Sequence, residues 1–241
     1  MREPLSRERV LTAAVALADT DGIGALTMRR LAAELGVEAM SLYYHLPGKE
    51  GLLDGLAETI VDEIARAVEA SDALADRSAA RRRGAATSRA AASRTNERKG
   101  DWRARLQRWF LAARAVMVSH PWAPELMNSR RQAPPGVYAY YERILGLLIE
   151  AGFSYHLAHR AMHAFGSMPL GFVQETFNPN GEGAAPTEAE FAAMAEHLPH
   201  MAAMVAAEMH RDTDPILGWC DSQAEFEFTL DLLLDGLERA R

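Results

Sequence analysis

The segment from Leu26 to Leu46, LTMRRLAAELGVEAMSLYYHL, constrains the fold of this chain more than any other stretch. Two short helical patterns meet at a tight turn holding Gly36, which is the helix-turn-helix arrangement. Thr27 stands where a cap is needed for the first helix, and Leu31, Ala32 and Leu35 recur on its inward side. The second helix, about Glu38 to Leu46, has two tasks. Val37, Leu42 and Leu46 point inward, while Ala39, Met40, Ser41, Tyr43 and His45 face away or lie near the helix start. Pro47-Gly48 stops it.

The remaining sequence also reads as helix, so the expected fold class is all-α. Ala, Leu, Arg, Glu and Met dominate, all good helix formers, and alternating β-branched runs are missing. Ser6 caps a first helix to about Asp21, with Val10, Ala13, Ala14, Leu17 and Ala18 as its buried stripe. A fourth helix starts at Gly48-Lys49 and buries Leu52, Leu53, Leu56, Ile60 and Ile64. Residues 72–100 are mostly Ala, Arg and Ser, too poor in large apolar groups to bury much surface. They read as a linker, a solvated helix or a disordered stretch, expected to be mostly mobile. Further helices are expected from Trp102 to about Ser119, from Trp122 to Asn128, from Val137 to about Ala151-Gly152, from Ser154 to about Phe177, from Thr187 to about Glu208 and from Ser222 to about Arg239. Ala133-Pro134-Pro135-Gly136 and 178–186 are loops. The organisation is a headpiece over 1–52 and a second domain over 53–241, with the natural boundary in or just after the fourth helix.

Net charge is −7, which does not by itself favour nucleic acid, so any positive charge that meets DNA must be locally placed. Basic residues exceed acidic ones only in 67–108. The single cysteine, Cys220, forbids an internal disulfide and suits a reducing cytoplasm. No stretch approaches the roughly 20 apolar residues of a membrane span, and Met1 to Ser6 lack an apolar signal core. A cytoplasmic protein is expected.

The outward residues of the second short helix have chemistry that suits DNA. Ala39 and Met40 can touch thymine methyls. Ser41, Tyr43 and His45 can donate to phosphates. Lys49 stands at a helix start, where the dipole also favours phosphate, and Arg29 can reach a guanine. The plainer alternative is the ordinary surface of a helical hairpin, against which stand the adjacent tyrosines Tyr43 and Tyr44, one of which also suits the core.

Between Val10 and Leu56, the residues Ala13-Ala14, Gly22, Leu26-Thr27, Arg30-Leu31-Ala32, Leu35-Gly36-Val37, Leu42-Tyr43-Tyr44-His45 and Lys49-Glu50-Gly51-Leu52-Leu53 resemble the TetR family of repressors, most closely its tetracycline-repressor branch. Weaker similarity continues at Trp102, Ser119-His120, Gly152-Phe153-Ser154 and Gly166 to Glu175. The resemblance implies that Arg29, Ala39, Met40 and Tyr43 face bases, and that Thr27, Ser41, Tyr43, His45 and Lys49 hold phosphate. Glutamine and proline occupy the positions of Ala39 and Met40 in the tetracycline repressor, which implies a different operator.

The resemblance further implies a ligand cavity in the second domain. Met127 stands where the tetracycline repressor has a metal-binding histidine, and Trp109 where it has a ligand-gripping asparagine. A thioether is a poor magnesium ligand, so no metal cofactor is expected. Trp109, Met117, Met127, Met162, Phe165, Met168 and Phe172, with Glu175 matching an outer-shell carboxylate, are the candidate lining of a cavity for an apolar or aromatic effector. At helical spacing, ordinary core is the common outcome for such residues. Pro169, inside a helix, reads as a kink, either a hinge or a tolerated bend. His156, His159 and His163 raise a metal question. His159 and His163 share a helix face, but Arg160 stands where the catalytic zinc pattern has glutamate, so surface or core histidines are the expected reading. Cys220 has no ligand-spaced partner.

Phe226, Leu230, Leu233 and Leu237 form an apolar stripe on the last helix. The resemblance implies that this helix and the Ser154–Phe177 helix pair with their twofold mates. The expected molecule is a homodimer that binds a near-palindromic duplex operator and releases it when a small-molecule effector binds. A constitutive DNA binder and a helical enzyme are the rivals, and no acid/base pair, phosphate loop or nucleophile constellation supports the enzyme.

Overall fold

In the computed structural model, residues 4–84, 102–172, 195–208 and 222–241 are described, and no strand occurs among them. The chain divides into one unit of residues 1–173 with 230–241 and a second of residues 174–229.

The first unit begins with α1 (Arg7–Asp21). Ser6 Oγ accepts from the Arg9 N–H at 3.1 Å, and Val10, Leu11, Ala14, Leu17 and Ala18 form the buried stripe. A 3-10 turn leads to α2 (Met28–Leu35), where Thr27 Oγ1 accepts from the Arg30 N–H at 3.2 Å. Gly36 ends α2 at φ 65, donating to Ala33 O at 3.2 Å, while the Val37 N–H reaches back to Ala32 O at 3.0 Å. This is a Schellman closure, and it needs the left-handed conformation that glycine adopts without a Cβ penalty. It turns the chain directly into α3 (Ala39–Tyr43).

α3 is shorter than its apolar pattern indicates. Leu42 and Leu46 are both fully buried, yet the helix stops at Tyr43, and the His45 N–H bonds to Leu42 O in a tight turn. Pro47 follows at once, and the residue before a proline is pushed out of helical geometry.

α4 (Gly48–Gly84) is the spine, 37 residues and thus about 55 Å long. Leu52, Leu56, Ile60, Val61, Ile64 and Val68 are its buried face. The helix continues through residues 72–84, where mobility is expected from the sequence, while 85–101 lie outside the described residues. Ala and Arg are strong helix formers, and a helix already nucleated by packing extends through them at little cost.

α5 (Trp102–Ser119), α6 (Ala123–Ser129), α7 (Pro135–Glu150) and α8 (Tyr155–Gly171) complete the core around α4. Phe110 of α5 stacks on Phe165 of α8 at 5.2 Å, and Leu106, Leu126, Ile144 and Leu148 close the interior. α7 starts at Pro135, inside the expected loop, because proline is preorganised for the first helical position. α8 ends at Gly171, and Pro169 sits in its last turn, where it removes the backbone bond to the carbonyl four residues back. The expected extension to Phe177 lies mainly outside the described residues.

Residues 230–240 of α10 (Ser222–Ala240) bury Leu230, Leu234 and Leu237, so Leu234 and not the expected Leu233 completes the stripe. Arg103 of α5 reaches Asp235 at 2.7 Å, with Asp231 at 3.4 Å and Glu238 at 3.9 Å. The second unit contains α9 (Pro199–Glu208), which exposes Met201 and Met204, and the start of α10. Cys220 and Glu175 lie outside the described residues.

The headpiece meets the spine where α1 crosses α4 at Gly55. A Cβ on Gly55 would lie 2.7 Å from Leu11 Cδ2, with Arg7 Nη2 at 3.3 Å. Gly55→Val should therefore overpack this crossing and cost about 1–3 kcal/mol in chemical unfolding. An unchanged midpoint would show that the two helices separate freely.

Candidate nucleic-acid interface and effector cleft

The tight turn at Gly36 and the burial of Leu42 and Leu46 fix which side chains α3 leaves outside. Met40 is 70% exposed, Tyr43 50% and Tyr44 87%. Neither tyrosine enters the core, which resolves the sequence alternative in favour of two exposed rings. Large apolar surface on a short helix costs solvation and returns nothing in folding, so such a cluster marks a contact surface. Arg29 and Lys49 are exposed as well. Arg30, by contrast, is engaged with Asp21. Ala39, Ser41 and His45 are half-buried. The Thr27 oxygen already accepts the cap bond, which leaves its hydroxyl proton available as a donor.

In the first unit, a cleft of about 360 Å³ opens between α4, α5 and α7. That is within the size range of small-molecule sites. Ala65, Val68, Trp109, Gly146 and Leu147 give it an apolar floor, and Glu69, Asp72, Arg105, Arg143 and Glu150 a charged lining. The charges are paired: Arg143 to Glu69 at 3.1 Å, Arg105 to Glu150 at 3.9 Å, and Arg108 to Asp72 at 2.7 Å. The Trp109 indole Nε1 is buried beside the Tyr140 phenol. Tyr140 packs beside it at 5.6 Å, and burial pushes its phenol well above the usual range, against the opposing pull of the Trp109 N–H.

Of the expected cavity residues, the structure brings only Trp109 to this cleft. Met117, Phe165 and Met168 are buried packing, Phe165 in the stack with Phe110. Met127, Met162 and Phe172 are half-buried, and Glu175 lies outside the described residues. Among the described residues, no cluster of three or more His, Cys, Asp or Glu is arranged to hold a metal. Met127 offers only a thioether, which does not fit magnesium.

One junction escaped sequence reading. His120, 8% exposed at the α5–α6 turn, has a carboxylate at each ring nitrogen: Asp19 of α1 at 2.7 Å and Glu63 of α4 at 3.3 Å. The Trp122 indole N–H donates to the same Asp19 oxygen at 2.6 Å. Nearby, Arg130 takes Asp54 at 2.6 Å and Glu50 at 2.9 Å. Desolvation works against its charge, but the two carboxylates outweigh it and hold the guanidinium above its ordinary value. Glu58 binds Arg7 of α1 at 2.8 Å and accepts the Gly136 N–H at 3.1 Å. The visible signal was the carboxylates at 50, 54 and 58, four apart and so on one helix face. Their partners lie far along the chain, where spacing says nothing.

The family models that match are "Bacterial regulatory proteins, tetR family" over residues 10–56 and "Tetracyclin repressor-like, C-terminal domain" over residues 94–241. The HTH-type transcriptional repressor DrrR1 of Streptomyces coeruleorubidus is 33% identical over 150 residues, which is 62% of this chain. That match spans 46% of the relative, so the chain covers about half its length. The crystal structure of a possible TetR family transcriptional regulator from Streptomyces coelicolor A3(2) aligns at TM-score 0.66 and 27% identity, over 98% of this chain and 100% of that one. ActR of Streptomyces coelicolor, in complex with actinorhodin, aligns at TM-score 0.64 and 21% identity over 99% of each chain.

Removing the His120 ring would leave Glu63 without this partner and Asp19 with only the Trp122 indole N–H. His120→Ala should cost about 1–3 kcal/mol in urea unfolding, the penalty for orphaning partly buried polar partners. A change under about 0.5 kcal/mol would show that the junction carries no stability.

Proposed function

The chain belongs to the TetR family of bacterial regulators, and on that premise we propose that it is a homodimeric transcriptional repressor that leaves a near-palindromic operator when a small molecule fills the α4–α5–α7 cleft. The exposed Met40–Tyr43–Tyr44 surface behind the Gly36 turn carries the DNA half of this reading. Met40 and Ala39 give apolar contact to thymine methyls, and Arg29 takes a guanine edge. Tyr43, Tyr44, Ser41, His45, Thr27 and Lys49 hold the backbone, Lys49 at the start of α4. The acidic balance of the chain leaves this surface to work by local placement of charge.

The effector is a planar aromatic molecule with polar substituents. The Trp109 face and the apolar floor take the rings, and the ion-paired walls meet the substituents. ActR, which shares this fold, is known in complex with actinorhodin. Pairing through α8 and α10, as the family resemblance implies, is supported by the exposed apolar side chains Tyr155 and Leu232 on these helices. Such a dimer sets two α3 helices about one DNA turn apart, roughly 34–36 Å.

The switch is a population shift. One helix, α4, lines the cleft with Ala65 to Asp72 and meets α1 at Gly55 and Glu58. An effector that prefers one position of α4 thereby prefers one position of the headpiece, and can shift the balance only by that difference in affinity. A DNA binder that ignores effectors would keep its affinity for DNA whatever saturates the cleft.

Selection from random duplexes should return a near-palindrome, and Tyr43→Ala should bind it about tenfold or more weakly while staying folded. Wild-type affinity in the folded variant would remove Tyr43 from the interface. Lys49→Ala should weaken binding to all sequences alike and lower the salt dependence by about one charge; a loss confined to one base pair would contradict a phosphate role.

A further inference from the structure

We propose that Glu58 is a positioning residue that ties the start of α7 to the first residue of α1, and so gives the cleft a second route to the headpiece, through α7. The inference rests on the regulator reading above. The Glu58 carboxylate divides its two oxygens between two elements. Its Oε2 takes Arg7 Nη2 at 2.8 Å, and its Oε1 accepts the Gly136 N–H at 3.1 Å. A carboxylate is one rigid plane, so neither oxygen moves without the other.

The start of α7 cannot cap itself. Pro134 and Pro135 carry no N–H, and Pro134, at the cap position, offers no side-chain acceptor. Val137 and Tyr138 donate to Pro134 O at 2.9 and 3.3 Å, which leaves the Gly136 N–H as the first-turn donor with no acceptor in its own helix. Glu58 supplies that acceptor from α4, and its charge lies at the positive end of the α7 dipole. The approach requires glycine, because a Cβ at position 136 would lie 2.9 Å from Glu58 Cγ and 3.3 Å from its Cδ.

The rest of α7 reaches the cleft. The helix has 16 residues, about 24 Å, and its last two turns carry Arg143, Gly146, Leu147 and Glu150 of the lining. A molecule that shifts the cleft end of this rod shifts Gly136 as well, and the carboxylate either follows or lets go. At the headpiece end, Arg7 is seated against α4, with its Nη2 3.3 Å from the position of a Cβ on Gly55. Gly55 and Glu58 are three apart and so share a helix face. Among the described residues no hydrogen bond joins Arg7 to Gly136 directly, which makes Glu58 the link between them.

The test is a double-variant cycle on the full chain, read by amide hydrogen exchange of α1 without DNA and by affinity for the duplex recovered by selection. Arg7→Gln removes the charge at one end of the link, and Gly136→Ala pushes the Glu58 side chain away at the other. Each alone should speed exchange in α1 and weaken duplex binding by about 2–30-fold, the range for residues that carry coupling between sites. The double variant should go no further than the larger single change, because one link breaks only once. Glu58→Gln should reproduce that change by itself, since an amide has one acceptor oxygen and turns an N–H2 group toward the other donor. Adding Gly136→Ala to Glu58→Gln should then alter exchange by less than about twofold. Effects of Arg7→Gln and Gly136→Ala that multiply overturn the link. So does wild-type exchange of α1 in Gly136→Ala, or in Glu58→Gln, which adds no volume and keeps the test decisive if Gly136→Ala disturbs α7. Failure to recover any duplex overturns the regulator reading instead, and the exchange measurements still decide the link.

Discussion

Everything else in the first unit depends on the carboxylates of α4. Along this one helix, Glu50, Asp54, Glu58, Glu63, Glu69 and Asp72 each meet a cation or an N–H from another element. The apolar face of the helix supplies the burial, but burial is nearly indifferent to sliding, because one Leu contact replaces another. Directional ion pairs are not indifferent. Each of these partly exposed pairs contributes only about 0.2–1 kcal/mol. Their weight lies in fixing the register of the spine against α1, α5, α6 and α7. A spine located by many weak bonds can be relocated by a ligand of moderate affinity, which a spine located by one deep apolar lock could not.

The fold was largely legible in the sequence where structure is decided locally. Ser6, Thr27 and Ser154 each accept the expected cap bond, and Gly36 takes the left-handed turn that its place between two helices demands. Leu42 is buried and Tyr43, about 100° further round the helix, is exposed, as helical periodicity allows. Reading was weakest where two local rules compete. Helical pattern carries through Leu46, but Pro47 ends the helix early, so α3 closes at Tyr43. In residues 72–84, the absence of large apolar groups argues against order, while propensity and a nucleated helix argue for it, and propensity prevails.

The site divides along the same line. The exposed face of α3 follows from periodicity alone. The cleft does not, because it is formed where α4, α5 and α7 meet, and a residue's place in such a space depends on helix crossing angles that no spacing encodes. Methionine and phenylalanine were natural candidates for an adaptable cavity, yet three of the six fill the core and none lines the cleft, and half of the lining is instead charged residues that look like ordinary solvated surface in sequence. His120 is the sharpest case. Its two partners are 101 and 57 residues away, and nothing near it in the chain announces them.

The separation between what α3 buries and what it exposes has an evolutionary consequence. Leu42 and Leu46 carry the folding of the turn, while Met40, Tyr43 and Tyr44 contribute almost nothing to it. Side chains that are not part of the packing can be exchanged at little cost in stability, usually within about 0.5 kcal/mol. A headpiece of this build can drift to a new partner sequence by single substitutions without passing through unfolded intermediates. Duplicated copies of such a gene are therefore free to diverge in what they read long before they diverge in how they fold.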